Sequence, residues 1–144
     1  MKTALLWALC LLPAFSFAQK IKISKGRVSV DGRPSFRYEK DGCGIGYGNC
    51  DYQVYDTAGN RVLRIVQKSR HVRVTPQNSS GTETYLEFIF LQSRQVAWVD
   101  DVTPWERRVV NYIAKNHLFV NGKLDEAAVD EFLLVHGEEA QRRH

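Results

Sequence analysis

Past residue 18 the sequence has no apolar run long enough for a membrane span, which needs about 20 predominantly apolar residues. Cysteine is scarce, at 3 in 144 residues, and one of these, Cys10, lies in the apolar start of the chain. Two remaining cysteines make at most one bridge, which excludes a disulfide-dense scaffold and a zinc ribbon. A nucleophile elbow of the G-x-S-x-G type is missing, so there is no local signature of a hydrolytic triad. His71, His117, His136 and His144 are scattered without metal-ligand spacing, so no metal site is expected. The glycines from Gly44 onward break the dinucleotide pattern at Asn49, and no cofactor is expected. Disorder, collagen and coiled coil are excluded by ordinary proportions, 44% hydrophobic and 25% charged.

What is present begins with an export signal. Lys2 supplies a positive start, Ala4 to Leu12 an apolar run, and Ser16-Phe17-Ala18 the small residues a signal peptidase reads, so cleavage is expected before Gln19. Bulky Leu9 ahead of Cys10 argues against a lipid anchor. The chain is therefore expected to be exported, periplasmic or secreted, with no membrane span after cleavage. Residues 1–18 form the signal peptide, 19–137 one α+β domain (19–100 sheet, 103–137 helical) and 138–144 a frayed tail.

In an oxidising compartment Cys43 and Cys50, with no competitor, are expected to form a structural disulfide. Their spacing does not match Cys-x-x-Cys, which argues against redox catalysis. The glycines between them permit a tight loop. Tyr47, Tyr52 and Tyr55 beside this loop are the aromatic candidates for a ligand surface, with packing against the sheet as the competing use.

From Lys20 to about Asp100, apolar and polar residues alternate with period two between turn signals, the pattern of half-buried antiparallel strands. A further strand is read at His71 to Thr75. Near-continuous apolarity in Glu83 to Leu91 predicts a central strand covered on both faces. Asp56 and Gly59-Asn60 predict a hairpin loop. The string Tyr55-Asp56-Thr57-Ala58-Gly59-Asn60-Arg61 resembles one unit of the YD (RHS) repeats of secreted shell proteins. It occurs once, without the tandem array such shells require, and is read as turn chemistry.

Helix signals begin at Thr103-Pro104-Trp105-Glu106, which combines an N-cap, a first-turn proline and a capping-box glutamate. Trp105, Val109, Tyr112 and Ile113 recur at helical spacing. After Asn121-Gly122, Asp125 is placed to cap a second helix with Leu124 and Val129 as its staple, a stripe of Val129, Phe132, Leu133 and His136, and Gly137 at its C-terminus. The expected fold is α+β: an antiparallel meander of six to eight strands, bent or partly closed, followed by two C-terminal helices.

Charge is segregated along the chain. From Gln19 to Arg73 there are 12 Lys+Arg against 5 Asp+Glu, and after Arg73 there are 7 against 11. Alternation assigns Lys20, Lys22, Arg27, Arg37, His71 and Arg73 to one basic sheet face, able to bind an anionic envelope polymer or an acidic protein. The competing use is a solvated face that keeps strand edges from aggregating. Nucleic acid is disfavoured: no aromatic stacking row accompanies the basic residues, and the second helix carries Asp125, Glu126, Asp130 and Glu131. The leading expectation is a non-enzymatic binding or envelope-accessory domain. The alternative is a small secreted hydrolase using Asp100, Asp101 or His71, which would require a deep pocket gathering those side chains.

Overall fold

The computed structural model describes residues 18–43, 50–100, 102–103 and 105–138. Residues 1–17 of the expected signal segment, Tyr47, Asp101, Pro104 and the end of the chain from residue 139 lie outside the described residues. The elements are β1 (Ile21–Ser24), β2 (Arg27–Val30), β3 (Arg33–Asp41), β4 (Asp51–Tyr55), β5 (Arg61–His71), β6 (Thr82–Phe90), β7 (Gln95–Val99), α1 (Glu106–Lys115), β8 (Phe119–Val120), β9 (Lys123–Leu124) and α2 (Glu126–His136). Strands β1 to β7 pair antiparallel in sequence order in one open sheet, and β8 and β9 form a separate small hairpin. This is the α+β meander with two C-terminal helices that the sequence predicts.

Three hairpins turn on two residues, each with a glycine second. Lys25-Gly26, Asp31-Gly32 and Asn121-Gly122 have φ values of 48 and 76, 51 and 80, and 50 and 76 degrees. Consecutive positive φ marks the turn whose twist matches paired strands, and only glycine takes the second position without a Cβ penalty. At Gly26 a Cβ would also stand 2.6 Å from the Tyr38 carbonyl oxygen.

One sheet face is apolar and carries the core. Cross-strand pairs Val28–Phe36, Tyr38–Val54, Val54–Leu63, Leu63–Phe90, Ile65–Phe88 and Phe88–Ala97 run across it. Both helices cover this face. Phe132 of α2 packs against Phe88 and Phe90 with ring centroids 5.3 and 6.0 Å apart, and Tyr112 of α1 lies 5.9 Å from Phe88. Asp125 caps α2 as expected, accepting from the Ala128 amide at 3.0 Å. Beyond α2, Gly137 bridges Ala97 on β7, which covers part of that sheet edge. The edge at β1 is only four residues long and carries Lys22, two features that discourage edge-to-edge pairing.

Four sequence expectations change. No separate strand begins at His71: β5 runs unbroken through polar Gln67–Arg70 and pairs with β6 as far as His71–Thr82. Lys68, Ser69 and Arg70 are exposed beyond the core and Gln67 is half-buried at its margin, yet all four still satisfy the ladder. Helix α1 begins three residues after Thr103; its N-cap is Trp105 with no side-chain cap. Glu106 instead accepts from the Tyr38 hydroxyl and, at 2.9 Å, from Lys40 Nζ, partners stronger than a lone amide. Trp105 is 67% exposed, so the buried stripe is Val109, Val110, Ile113 and Ala114. Finally, β6 is covered by the helices on one face only; Tyr85, Glu87 and Ile89 on its other face are half-exposed.

The Cys43–Cys50 disulfide is formed, with Cα atoms 4.3 Å apart. It joins the ends of β3 and β4. No helix among the described residues is long and apolar enough to cross a membrane.

A basic cradle as candidate functional site

Turn chemistry and strand alternation together build this site. The tight turn at Lys25-Gly26 folds β1 onto β2 with Ile23 opposite Val28 and Lys22 opposite Ser29. Since Val28 is in the core, Lys22, Ser24, Arg27 and Ser29 project from the opposite, outer face. With Lys25 they line an open depression of about 430 Å³. The hairpin is anchored from below, because the Tyr38 amide donates to the Gly26 carbonyl at 2.8 Å.

Arg27 stands directly opposite Arg37, an unfavourable like-charge cross-strand pair unless something neutralises it. Arg37 is neutralised within the chain. It pairs with Glu39, and its guanidinium lies 4.1 Å above the Tyr55 ring. The Tyr55 hydroxyl donates to the same carboxylate at 3.0 Å, which holds its pKa above the usual tyrosine value. Arg64 pairs with Asp51, Arg70 with Glu83 and Asp100, and Lys40 with Glu106. Among the described residues, Lys22, Lys25 and Arg27 have no such carboxylate. The one acid of the adjoining turn, Asp31, is used at 2.8 Å by the backbone amide of Lys20.

Lys25 is unusual for its position. A left-handed conformation costs a residue other than glycine roughly 1–2 kcal/mol, and Asn and Asp tolerate it best. The equivalent positions of the other two turns are Asp31 and Asn121. A lysine there contributes nothing to the turn and adds a cation to the depression.

Of the six basic residues read from the sequence, Lys22 and Arg27 are in the cradle, Arg37 is its neighbour on β3, and Lys20 immediately precedes β1. The structure separates His71 and Arg73 from them. The register places Arg61 in the row of Arg27, Arg37 and Tyr55. His71 is ten residues further along β5, roughly 33 Å at a strand rise of about 3.3 Å. It also falls on the parity of Leu63 and Ile65, the core face, because the strand continues where a break was expected. Arg73 lies past the end of β5. Sequence reasoning missed Lys25, Ser24 and Ser29; the signal for them was Lys-Gly flanked by alternating strands.

The tyrosines also divide. Tyr52 is buried opposite Ile65 in the core, where burial, with Glu106 adding, pushes its pKa up to about 12. Tyr55 is half-buried on the outer face beside Arg37. Of the residues weighed for hydrolysis, Asp100 is tied to Arg70 at 3.1 Å and His71 is exposed at a strand end. Neither lines the cradle. Neither lines a second depression of about 250 Å³, floored by Phe90, Leu124 and Val129 and rimmed by Glu126 and Asp130. No group of three or more His, Cys, Asp or Glu side chains suited to a metal ion occurs among the described residues.

No protein family, curated protein or solved structure matches this chain.

Proposed function

We propose that this is an exported, non-enzymatic binding protein that holds an anionic polymer on the outer face of its β1–β2 hairpin. The observation that carries this reading is the trio Lys22, Lys25 and Arg27. They surround one concavity without carboxylate partners, while Arg37, Arg64, Arg70 and Lys40 are paired. Ser24 and Ser29 add hydroxyl donors at the same place. An anion seated there relieves repulsion among the cations and meets donors held by the paired strands β1 and β2 and the turn between them. The sugar-acid or sulfate groups of a polysaccharide have the required chemistry. The apolar start of the chain, the disulfide and the lack of a membrane-crossing helix among the described residues accord with export.

A cradle this exposed binds mainly through screened charge, so affinity falls as salt rises. On a sulfated-polysaccharide resin the protein should be retained at low salt. Replacing Lys22, Lys25 and Arg27 together by Gln should lower the eluting salt concentration markedly, whereas replacing His71 and Arg73 by Gln should change it little. Equal losses from both sets would mean that net charge alone governs retention and would remove the cradle as a site.

A further inference from the structure

The cradle has a continuation across the strands. Ser24, Arg27, Arg37, Tyr55 and Arg61 stand in one row over the five neighbouring strands β1 to β5. Arg61 belongs to this row only through a break in register. Strict alternation from buried Leu63 would turn Arg61 toward the core face. Between the pairs Val54–Leu63 and Tyr55–Arg61, however, one step along β4 is matched by two along β5, and a bulge of this kind re-aims a side chain. Tyr55 registers the result: the hydrogen bond to Glu39 raises its pKa, while the Arg37 and Arg61 cations both oppose the rise.

Both ends of the row carry cations without carboxylate partners. Among the described residues no Asp or Glu pairs with Arg61, and Asp56, the acid of the adjoining loop, is taken up by Asn60 at 2.8 and 3.0 Å. At the other end stand Lys22, Lys25 and Arg27. Arg37, between the two ends, is held by Glu39 through Nη1, which leaves further guanidinium donors for a ligand. The alternative exit from the cradle, lengthwise along β1, runs onto a carboxylate, since Asp31 lies 2.8 Å from the Lys20 amide. We infer that the anionic polymer crosses the strands, running from the cradle over Arg37 to Arg61 as its second anchoring cation. This inference rests on the proposed function and adds a direction and a length to it. From β2 to β5 there are three strand spacings of about 4.8 Å, so the two anchors stand about 14 Å apart. A ligand that spans this distance makes the second contact within one complex and gains from it, whereas a shorter one meets a single anchor.

Titration of the protein with sulfated oligosaccharides of graded length at low salt tests the track. Arg61→Gln should weaken binding of an octasaccharide about two- to five-fold, the range of an exposed charge contact, and leave a disaccharide unaffected. Arg73→Gln, which removes the same charge away from the row, should change neither. Without any substitution, the amide resonances of Tyr55 and Arg61 should shift with the octasaccharide and stay in place with the disaccharide. Octasaccharide affinity untouched by Arg61→Gln, an equal loss from Arg73→Gln, or a loss from Lys20→Gln in place of Arg61→Gln would overturn the crosswise track. If Gln at Lys22, Lys25 and Arg27 still weakens both ligands in that case, the cradle stands and only the track falls; if no length binds, both fall together.

Discussion

At the scale of single residues, side chains act according to the best partner within reach. Asp125 was legible as a cap because nothing else on its element competes for it, and it accepts from Ala128. Glu106 carried an equally good capping pattern, but the fold brings Tyr38 and Lys40 to it from a strand nearly seventy positions earlier. These hydrogen bonds, the tyrosine first, depress the Glu106 pKa, while burial and the same bond raise that of Tyr38. The sign for stability follows directly. Unfolded Glu106 binds its proton at a higher pH than the folded form, so its contribution is complete above the ordinary glutamate range and is lost as pH falls through the depressed value. Glu106→Gln should lower the melting temperature at neutral pH and flatten its decline between about pH 5 and pH 3. An unchanged slope would show that the contact contributes nothing. Asp56 retains an acid-sensitive background in that variant: burial raises its pKa, but hydrogen bonds from Asn60, Ala58 and Gly59 outweigh this and leave it depressed. At Lys25, stability and function oppose each other. Lys25→Asn supplies the residue preferred by the turn and should raise stability by about 0.5–1 kcal/mol, while lowering the salt needed for elution from the polyanion resin. Parallel movement of the two quantities would contradict the role given to Lys25.

Elements were legible where their signals are local. The two-residue turns at Asp31-Gly32 and Asn121-Gly122 stand where their dipeptides indicate, since those residues tolerate positive φ. Strand β5 was less legible. Gln67–Arg70 looks like a break, and only pairing with Glu83–Leu86 of β6 keeps it in the sheet. The Asp56–Asn60 loop has its own bonds, Asn60 donating twice to the Asp56 carboxylate at 2.8 and 3.0 Å. Its docking is tertiary: Thr57 donates from both its amide and its hydroxyl to the Gly122 carbonyl, and a Cβ at Gly122 would fall 2.3 Å from Thr57 Oγ1. For the β3–β4 hairpin, the short loop closed by Cys43–Cys50 restricts the unfolded chain, so reduction should cost about 2–3 kcal/mol. Urea unfolding with and without reductant measures this, and coincident midpoints would show that the bridge is not a stabilising one.

At the scale of the whole molecule, charge and apolarity sort themselves by face. The basic half up to Arg73 supplies β1 to β5, and the acidic half supplies β6, β7 and both helices. The six basic residues of the sequence reading do not act as one surface. Four gather around the β1–β2 end, and His71 and Arg73 are carried to the far end of β5. The apolar run of β6 predicted cover on both faces; the helices provide one, and Tyr85, Glu87 and Ile89 on the other stay half-buried.

The sequence by itself determined the order of strands and helices, the tight turns, the second helix cap and the disulfide. Each depends on residues close in the chain, where periodicity and local hydrogen bonding decide. Tertiary structure alone decided which cations remain without partners, where Glu106 spends its carboxylate and which side of β6 stays open. Those outcomes depend on cross-strand register and on carboxylates brought in from distant elements. Alternation records which residues share a face of one strand, but not which neighbours from other strands they meet there.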